Sequence, residues 1–252
     1  MINKEQVKEL SQKFKIDGFS VIREYLQVVF LSAVYEQKEG SKIYFKGGTA
    51  LRLLFNSFRF SEDLDFTCLL SLTETRKLLS KSIKIMNLIV PEVELKQFRT
   101  KNQSITGFLN YKTDEIKYPL NIHLEFSLRE KPLTGKETVL ETPFPVSPYP
   151  IVKHLSLEEI LAEKIRALME RTKGRDLFDI WFILSKGAEI DWAMTNKKMA
   201  FYKKEISRED LTAKIKRFDK RKVKIDLGKF LPLTHRKIAE NLQEMVLKKL
   251  AA

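Results

Sequence analysis

Between Lys42 and Cys68 the hydrophobic period changes three times, and few folds tolerate that rhythm. Ile43-Tyr44-Phe45 reads as a short strand, Gly47-Gly48 as a turn, Thr49 to Phe55 as a helix, and Leu64 to Cys68 as a second strand. A strand that turns through two glycines into a helix and returns as another strand belongs to an α/β or α+β domain. The flanks agree. Lys4 to Phe14 and Phe19 to Tyr35 carry apolar residues at helical spacing, 73–90 reads as a helix, and 92–128 is β-rich, with Ile122-His123-Leu124-Glu125-Phe126 alternating as a strand does. These strands are expected to extend one mixed sheet with flanking helices.

Prolines 132, 143, 145, 148 and 150 stiffen a connection over 131–150, which sets the expected division. Residues 1–130 form one lobe, and 151–252 a helical, basic one. Ser156 and Glu159 are spaced as a capping box opening a helix to about Arg171; Gly174 interrupts it, and Arg175 to Ser185 is the next helix. From Asn196 onward stand 17 Lys and Arg against 7 acids, so this segment holds +10 of a net charge of +13. Such concentration suits a polyanionic partner, although a solvated lysine-rich surface has the same composition.

Composition excludes several classes. With 43% hydrophobic residues and 17 Phe the chain can bury a core, so a disordered reading fails. One cysteine, Cys68, admits neither an intrachain disulfide nor a CxxC metal pair. The longest mostly apolar stretch, Tyr25 to Tyr35, falls short of the ~20 residues of a membrane span. The first residues lack the basic-then-apolar order of a signal peptide, so a cytoplasmic setting without membrane contact is expected. His123, His154 and His235 are scattered and read as structural, and no Ser-His-Asp order, Walker A loop or HExxH is present.

Chemistry concentrates in Lys46-Gly47-Gly48-Thr49-Ala50-Leu51-Arg52 and Arg59-Phe60-Ser61-Glu62-Asp63-Leu64-Asp65-Phe66. Asp63 and Asp65, two apart, share a face if both lie on the strand, and adjacent carboxylates call for a cation between them. Hard oxygen ligands favour Mg²⁺, which one or two carboxylates commonly hold together with substrate phosphates. The glycines at a helix N-terminus let backbone N–H groups approach a phosphate, and the Thr49 hydroxyl adds a donor. Glu125, inside a strand, is a third acid within the same lobe.

These motifs resemble the signature of the polymerase-β-type nucleotidyltransferases, and more narrowly that of the AbiEii/AbiGii-type, MenT-like toxins of toxin–antitoxin and abortive-infection systems. Ala162-Glu163-Lys164-Ile165-Arg166, then Arg175-Asp176-Leu177-Phe178-Asp179-Ile180, are similar to that family's downstream motifs. The resemblance implies a polymerase-β-type mixed sheet and transfer of a nucleotide from an NTP. It further implies a catalytic set of Asp63, Asp65, Lys164 and one of Asp176 and Asp179, with Asp179 preferred; Arg175 and Asp176 could instead form an ion pair. Asp63, Asp65 and Glu125 would hold metal, two Mg²⁺ ions being expected. Gly47, Gly48, Thr49, Arg52, Arg59 and Ser61 would lie at the nucleotide, in a cleft between the lobes. The implied acceptor is RNA, with the tRNA 3′ end expected and translation blocked as the outcome. The implied partner is a cognate antitoxin of winged-helix type. Rival readings are a small-molecule or protein hydroxyl as acceptor, or a non-catalytic nucleic-acid-binding module on this fold.

Overall fold

The computed structural model describes residues 1–101, 103–113 and 118–251. The expected β-rich stretch 92–128 therefore includes a few positions, 102 and 114–117, outside the described residues. The chain divides into two compact units. One comprises Met1–Asn56 and Phe60–Leu155; the other comprises Ser57–Arg59 together with the chain from Ser156 onward.

The first unit is built on a mixed sheet of seven strands: β1 (Ile43–Lys46), β2 (Leu64–Cys68), β3 (Val93–Lys101), β4 (Ser104–Tyr111), β5 (Leu120–Ser127), β6 (Lys136–Val139) and β7 (Ile151–His154). Their spatial order is β3-β4-β5-β2-β1-β7-β6; β2 pairs with β5, and β1 with β7, in parallel, while the other neighbours are antiparallel. The helices are α1 (Lys4–Phe14), α2 (Gly18–Tyr35), α3 (Gly47–Phe55) and α4 (Leu72–Asn87). Asn3, Asp17 and Ser71 cap α1, α2 and α4 by accepting a backbone N–H with their side chains, which fixes where each begins.

Alternation gives the sheet two unlike faces. Leu64, Phe66, Leu124, Phe126, Ile105 and Leu109 are all buried, and Phe66 stacks on Phe126 with ring centroids 4.5 Å apart. Against this apolar face α2 and α4 supply Val28, Leu31, Leu78 and Leu79, also buried. The intervening residues Asp65, Glu125, His123, Thr106, Phe108 and Asn110 lie on the opposite face and stay half-buried.

Two expectations shift here. The Gly-Gly pair does not precede α3: Gly47 and Gly48 are its first residues. The Pro-rich stretch 131–150 is not a bare connection, because β6 pairs with β7, so 151–154 completes the sheet and the helical unit starts at Ser156. His154, expected to be structural, lies between these strands: its ring Nε2 and the Thr138 hydroxyl are 2.8 Å apart, and Nδ1 lies 2.8 Å from the Leu155 carbonyl.

The second unit holds α5 (Leu157–Glu170), α6 (Gly174–Ser185), α7 (Trp192–Met199), α8 (Arg208–Lys216), α9 (Lys220–Gly228) and α10 (Ile238–Ala251). Ser156 caps α5 by accepting the Glu159 N–H at 3.3 Å. Gly174 opens α6, and a Cβ there would meet the Val223 backbone at 2.9 Å, so glycine lets α9 pack against the start of α6. In return Asp226 of α9 accepts the Gly174 N–H at 2.8 Å. The segment Ser57–Arg59 packs into this unit: the Phe58 ring lies 4.4 Å from His235 and 5.1 Å from Phe178. Among the described residues no helix is long and apolar enough to cross a membrane.

Candidate active site

Two polar clusters carry the residues expected to do chemistry, one in each unit. In the first unit, register sets the geometry. Asp65 of β2 stands directly opposite Glu125 of β5 and directly opposite Lys46 of β1. Neighbouring strands are ~4.8 Å apart, so the two carboxylates emerge side by side on the polar face. Arg129 approaches Glu125 at 3.4 Å, as does the Ser104 hydroxyl, so Glu125 already has a cation and a donor beside it.

Gly47 lies against this pair. Its φ of +78° is left-handed, and a Cβ built on it would fall 2.3 Å from an Asp65 carboxylate oxygen. Asp65 therefore sits over the first residue of α3, where N–H groups have no intrahelical partner and the helix dipole favours an anion. The Lys46 side chain at the N-cap position makes no capping hydrogen bond.

Asp63 occupies a different position from Asp65. β2 begins at Leu64, so Asp63 precedes the strand and has no partner in the ladder. Its carbonyl accepts a hydrogen bond from the buried Thr49 hydroxyl, which ties the approach to β2 to α3. The three-acid metal set is therefore not assembled: among the described residues no three His, Cys, Asp or Glu side chains converge into a group that could hold a metal ion. Register aligns Asp65 with Glu125, while Asp63 stands one residue before the strand. Two adjacent carboxylates remain a fitting donor set for Mg²⁺, whose other positions substrate phosphates and water commonly fill.

Other expected nucleotide contacts have structural partners. Arg52 binds Glu24 of α2 at 2.7 and 3.1 Å, and its guanidinium lies 4.0 Å from the Phe60 ring centroid. The Ser61 carbonyl accepts the Gln27 side-chain amide at 3.1 Å. These contacts hold the chain that leads into Asp63.

In the second unit Arg59, Asp179, Lys164, Asp176 and Arg171 form a chain of alternating charge. Arg59 donates from Nε and Nη2 to both oxygens of Asp179, at 2.9 and 3.0 Å, and the two side chains are 2% and 0% exposed. Lys164 Nζ reaches Asp179 at 2.7 Å and Asp176 at 3.4 Å. Arg171 closes the chain by gripping Asp176 at 2.8 and 3.1 Å. It is the open end, with 57% of its side chain exposed.

Burial works against both charges at the centre of this chain. It favours neutral Lys164, but attraction from Asp179 and then Asp176 outweighs it and raises the ammonium pKa above its ordinary value. Burial likewise disfavours ionised Asp176, yet Lys164 and Arg171 prevail and hold its pKa below the ordinary carboxylate range. The alternative pair of Arg175 with Asp176 is replaced by these contacts, since Arg175 lies over the Phe230 ring at 4.8 Å. Sequence reasoning missed Arg171 as a site member and missed that Arg59 joins the late acids. An arginine between a helix end and a Gly-opened helix was a local signal for the first. Nothing local signals the second, because 120 residues separate Arg59 from Asp179.

The basic C-terminal segment is mixed. Lys198 is buried, paired with Glu159 at 2.7 Å and Glu163 at 3.1 Å, and belongs to the helix packing. Lys220 and Lys224 pair with Glu244 and Glu240 on the surface, where such pairs contribute little. Arg221, Lys222, Lys216 and Arg217 are exposed.

Residues 29–246 match the model of the family described as nucleotidyl transferase AbiEii toxin, type IV toxin–antitoxin system. No curated protein matches the chain. Among solved structures, JHP933 from Helicobacter pylori is similar at a TM-score of 0.57, with 22% identity over 94% of this chain and 95% of that one. MenT4, a nucleotidyltransferase toxin from Mycobacterium tuberculosis, is similar at 0.63, with 17% identity over 100% of this chain and 90% of that one. These two likenesses establish the fold.

Proposed function

Since the chain belongs to the AbiEii nucleotidyl transferase toxin family, we propose that it transfers a nucleotide from an NTP to an RNA hydroxyl, with the tRNA 3′ end as acceptor. Family membership supplies the coarser statement, a nucleotidyltransferase toxin with an antitoxin as partner. A winged-helix antitoxin and a block of translation belong to the proposal. The observation that carries it is the register of Asp65 and Glu125 beside the Gly47-Gly48-Thr49 opening of α3.

Asp65 and Glu125 would hold Mg²⁺, which when bound supplies positive charge to the triphosphate. The N–H groups at the start of α3 would receive phosphate oxygens, with no Cβ at Gly47 to obstruct them. The acceptor hydroxyl oxygen bonds to the α-phosphorus and gives up its proton to water, as the bond from that phosphorus to the oxygen bridging to the β-phosphate breaks and pyrophosphate leaves. Lys164, Asp176 and Asp179 would orient Arg171, the exposed cation of their chain, toward a polyanion. The exposed basic residues of the C-terminal segment support a backbone-contacting role toward RNA.

The test is to incubate the purified protein with Mg²⁺, total tRNA and each α-phosphate-labelled NTP, beside an Asp65→Asn control. Label in tRNA with one NTP and none in the control is the expected result. Label in a small molecule or protein alone would replace the acceptor, and no label from a whole-cell extract would overturn the transferase reading.

A further inference from the structure

The polar face of the sheet continues past the acid pair, and its next row is unusual. On β4 the buried positions are Ser104, Ile105, Gly107, Leu109 and Tyr111, and the half-buried ones are Thr106, Phe108 and Asn110. Thr and Asn suit such a face, and Phe108 is the large apolar side chain among these partly exposed positions. Register places Phe108 opposite His123 of β5, and the two rings stand 5.1 Å apart at 53°. His123 is half-buried on the same face as Glu125, two residues away.

We propose that this ring pair is the seat for an unpaired terminal base of the RNA acceptor, an inference that rests on the RNA reading above. Three observations on the same face point to a single strand of nucleic acid. First, planar rings partly exposed on a sheet face offer a surface on which a base of any sequence can stack. Second, the following row pairs Asn110 with Asn121, the amide of one donating to the other at 2.8 Å, which leaves further donors and acceptors for base edges. Third, the edge strand β3 brings Lys96 opposite Phe108 and Arg99 opposite Thr106, both exposed cations placed for backbone phosphates. The Lys96 contact with Glu94 at 3.0 Å lies between side chains that are both more than half exposed, so it gives way readily.

Distance along the strands links this seat to the reaction. Thr106, Glu125 and Asp65 form the adjacent row, each opposite the next. Two residues of strand span ~7 Å, the scale of one nucleoside. A base lying on Phe108 and His123 therefore sets its own ribose hydroxyl beside the Asp65–Glu125 pair. A paired duplex end cannot do this, since its terminal base is already stacked and hydrogen-bonded. The platform selects acceptors with a single-stranded 3′ overhang.

The experiment compares a hairpin RNA carrying a short single-stranded 3′ overhang with a blunt hairpin of the same stem. Direct RNA binding is measured without NTP, and the KM for RNA and for NTP are measured separately. Wild type should bind the overhang RNA more tightly than the blunt one. F108A should weaken overhang binding by about tenfold, the loss expected of one stacked base, with the NTP KM within about twofold of wild type. F108W should restore binding, which a folding defect would not allow, and H123A should fall between. Binding by F108A and by F108A/H123A within about twofold of wild type would overturn the proposal. So would a rise confined to the NTP KM, which would assign the rings to the incoming nucleotide. Because binding is read without turnover, wild type that binds the overhang but transfers no nucleotide would sink the transferase reading and leave this inference decided by its own arm.

Discussion

Asp179 holds Arg59 by both carboxylate oxygens, at 2.9 and 3.0 Å, across 120 residues of chain. The pair is almost wholly excluded from water, and Phe178 lies 5.9 Å from the guanidinium. A bidentate contact in such surroundings fixes orientation as well as charge. It joins Ser57–Arg59 to a helix that begins at Gly174.

Removing Arg59 leaves the buried Asp179 with Lys164 as its remaining cation, at 2.7 Å, and without the bidentate contact. Arg59→Ala is expected to destabilise the helical unit by about 1–3 kcal/mol in urea melts, less than a wholly unpaired buried charge would cost. Arg59→Lys should recover only part, because a single ammonium cannot span both oxygens. Equal stability of Arg59→Ala and wild type would show that the pair contributes nothing net.

The same chain makes stability depend on pH at both extremes. Asp176 has a depressed folded pKa, so its contribution is present above about pH 4 and is lost as pH falls through the folded value. Lys164 has a raised folded pKa, so its contribution is present below about pH 10 and is lost as pH rises through the folded value. These two groups contribute no slope in between, and Asp176→Asn should lower the urea midpoint at neutral pH while flattening the acid limb. An unchanged acid limb in that variant would assign acid sensitivity elsewhere.

At Gly47 two constraints coincide, a φ of +78° and the Asp65 carboxylate where a Cβ would stand. Gly47→Ala should cost about 1–2 kcal/mol of backbone strain. It should cost nucleotide transfer more, about a hundredfold, because Asp65 must move. Parallel melts and labelling assays separate the two effects.

Asp65 and Glu125 repel each other wherever no cation lies between them. Glu125→Gln should therefore keep stability within about 1 kcal/mol of wild type or raise it, while transfer falls at least about a hundredfold. A loss of stability matching the loss of activity would make Glu125 a structural acid paired with Arg129.

On α9, reversing Lys220, Arg221 and Lys222 to Glu should flatten the slope of log K against log salt for RNA binding by about 2. An unchanged slope would show that this surface does not meet the phosphates.

Much of this arrangement is readable from local pattern. Ile43 to Phe45, Leu64 to Cys68 and the alternation through Ile122 and Phe126 announce their strands, because side-chain period is a property of neighbours in sequence. Ser71 with Glu74 and Ser156 with Glu159 mark helix starts for the same reason. What escapes is pairing. Nothing in Asp65 says that Glu125 lies opposite, or that Asp63 falls outside the ladder, because register is set by contacts distant in sequence. Arg52 carries no mark of Glu24, and Arg59 none of Asp179. His123 reads as a scattered histidine until Phe108 is set across from it.

The detour of Ser57–Arg59 also orders events during synthesis. Phe58 and Arg59 leave the ribosome long before Asp179, Trp181 and His235 exist. The helical unit therefore cannot close around its own first segment until almost the whole chain has been made. A nascent chain halted before Asp179 carries an arginine and a phenylalanine whose partners do not yet exist, so the final assembly of this unit waits for the segment that carries His235.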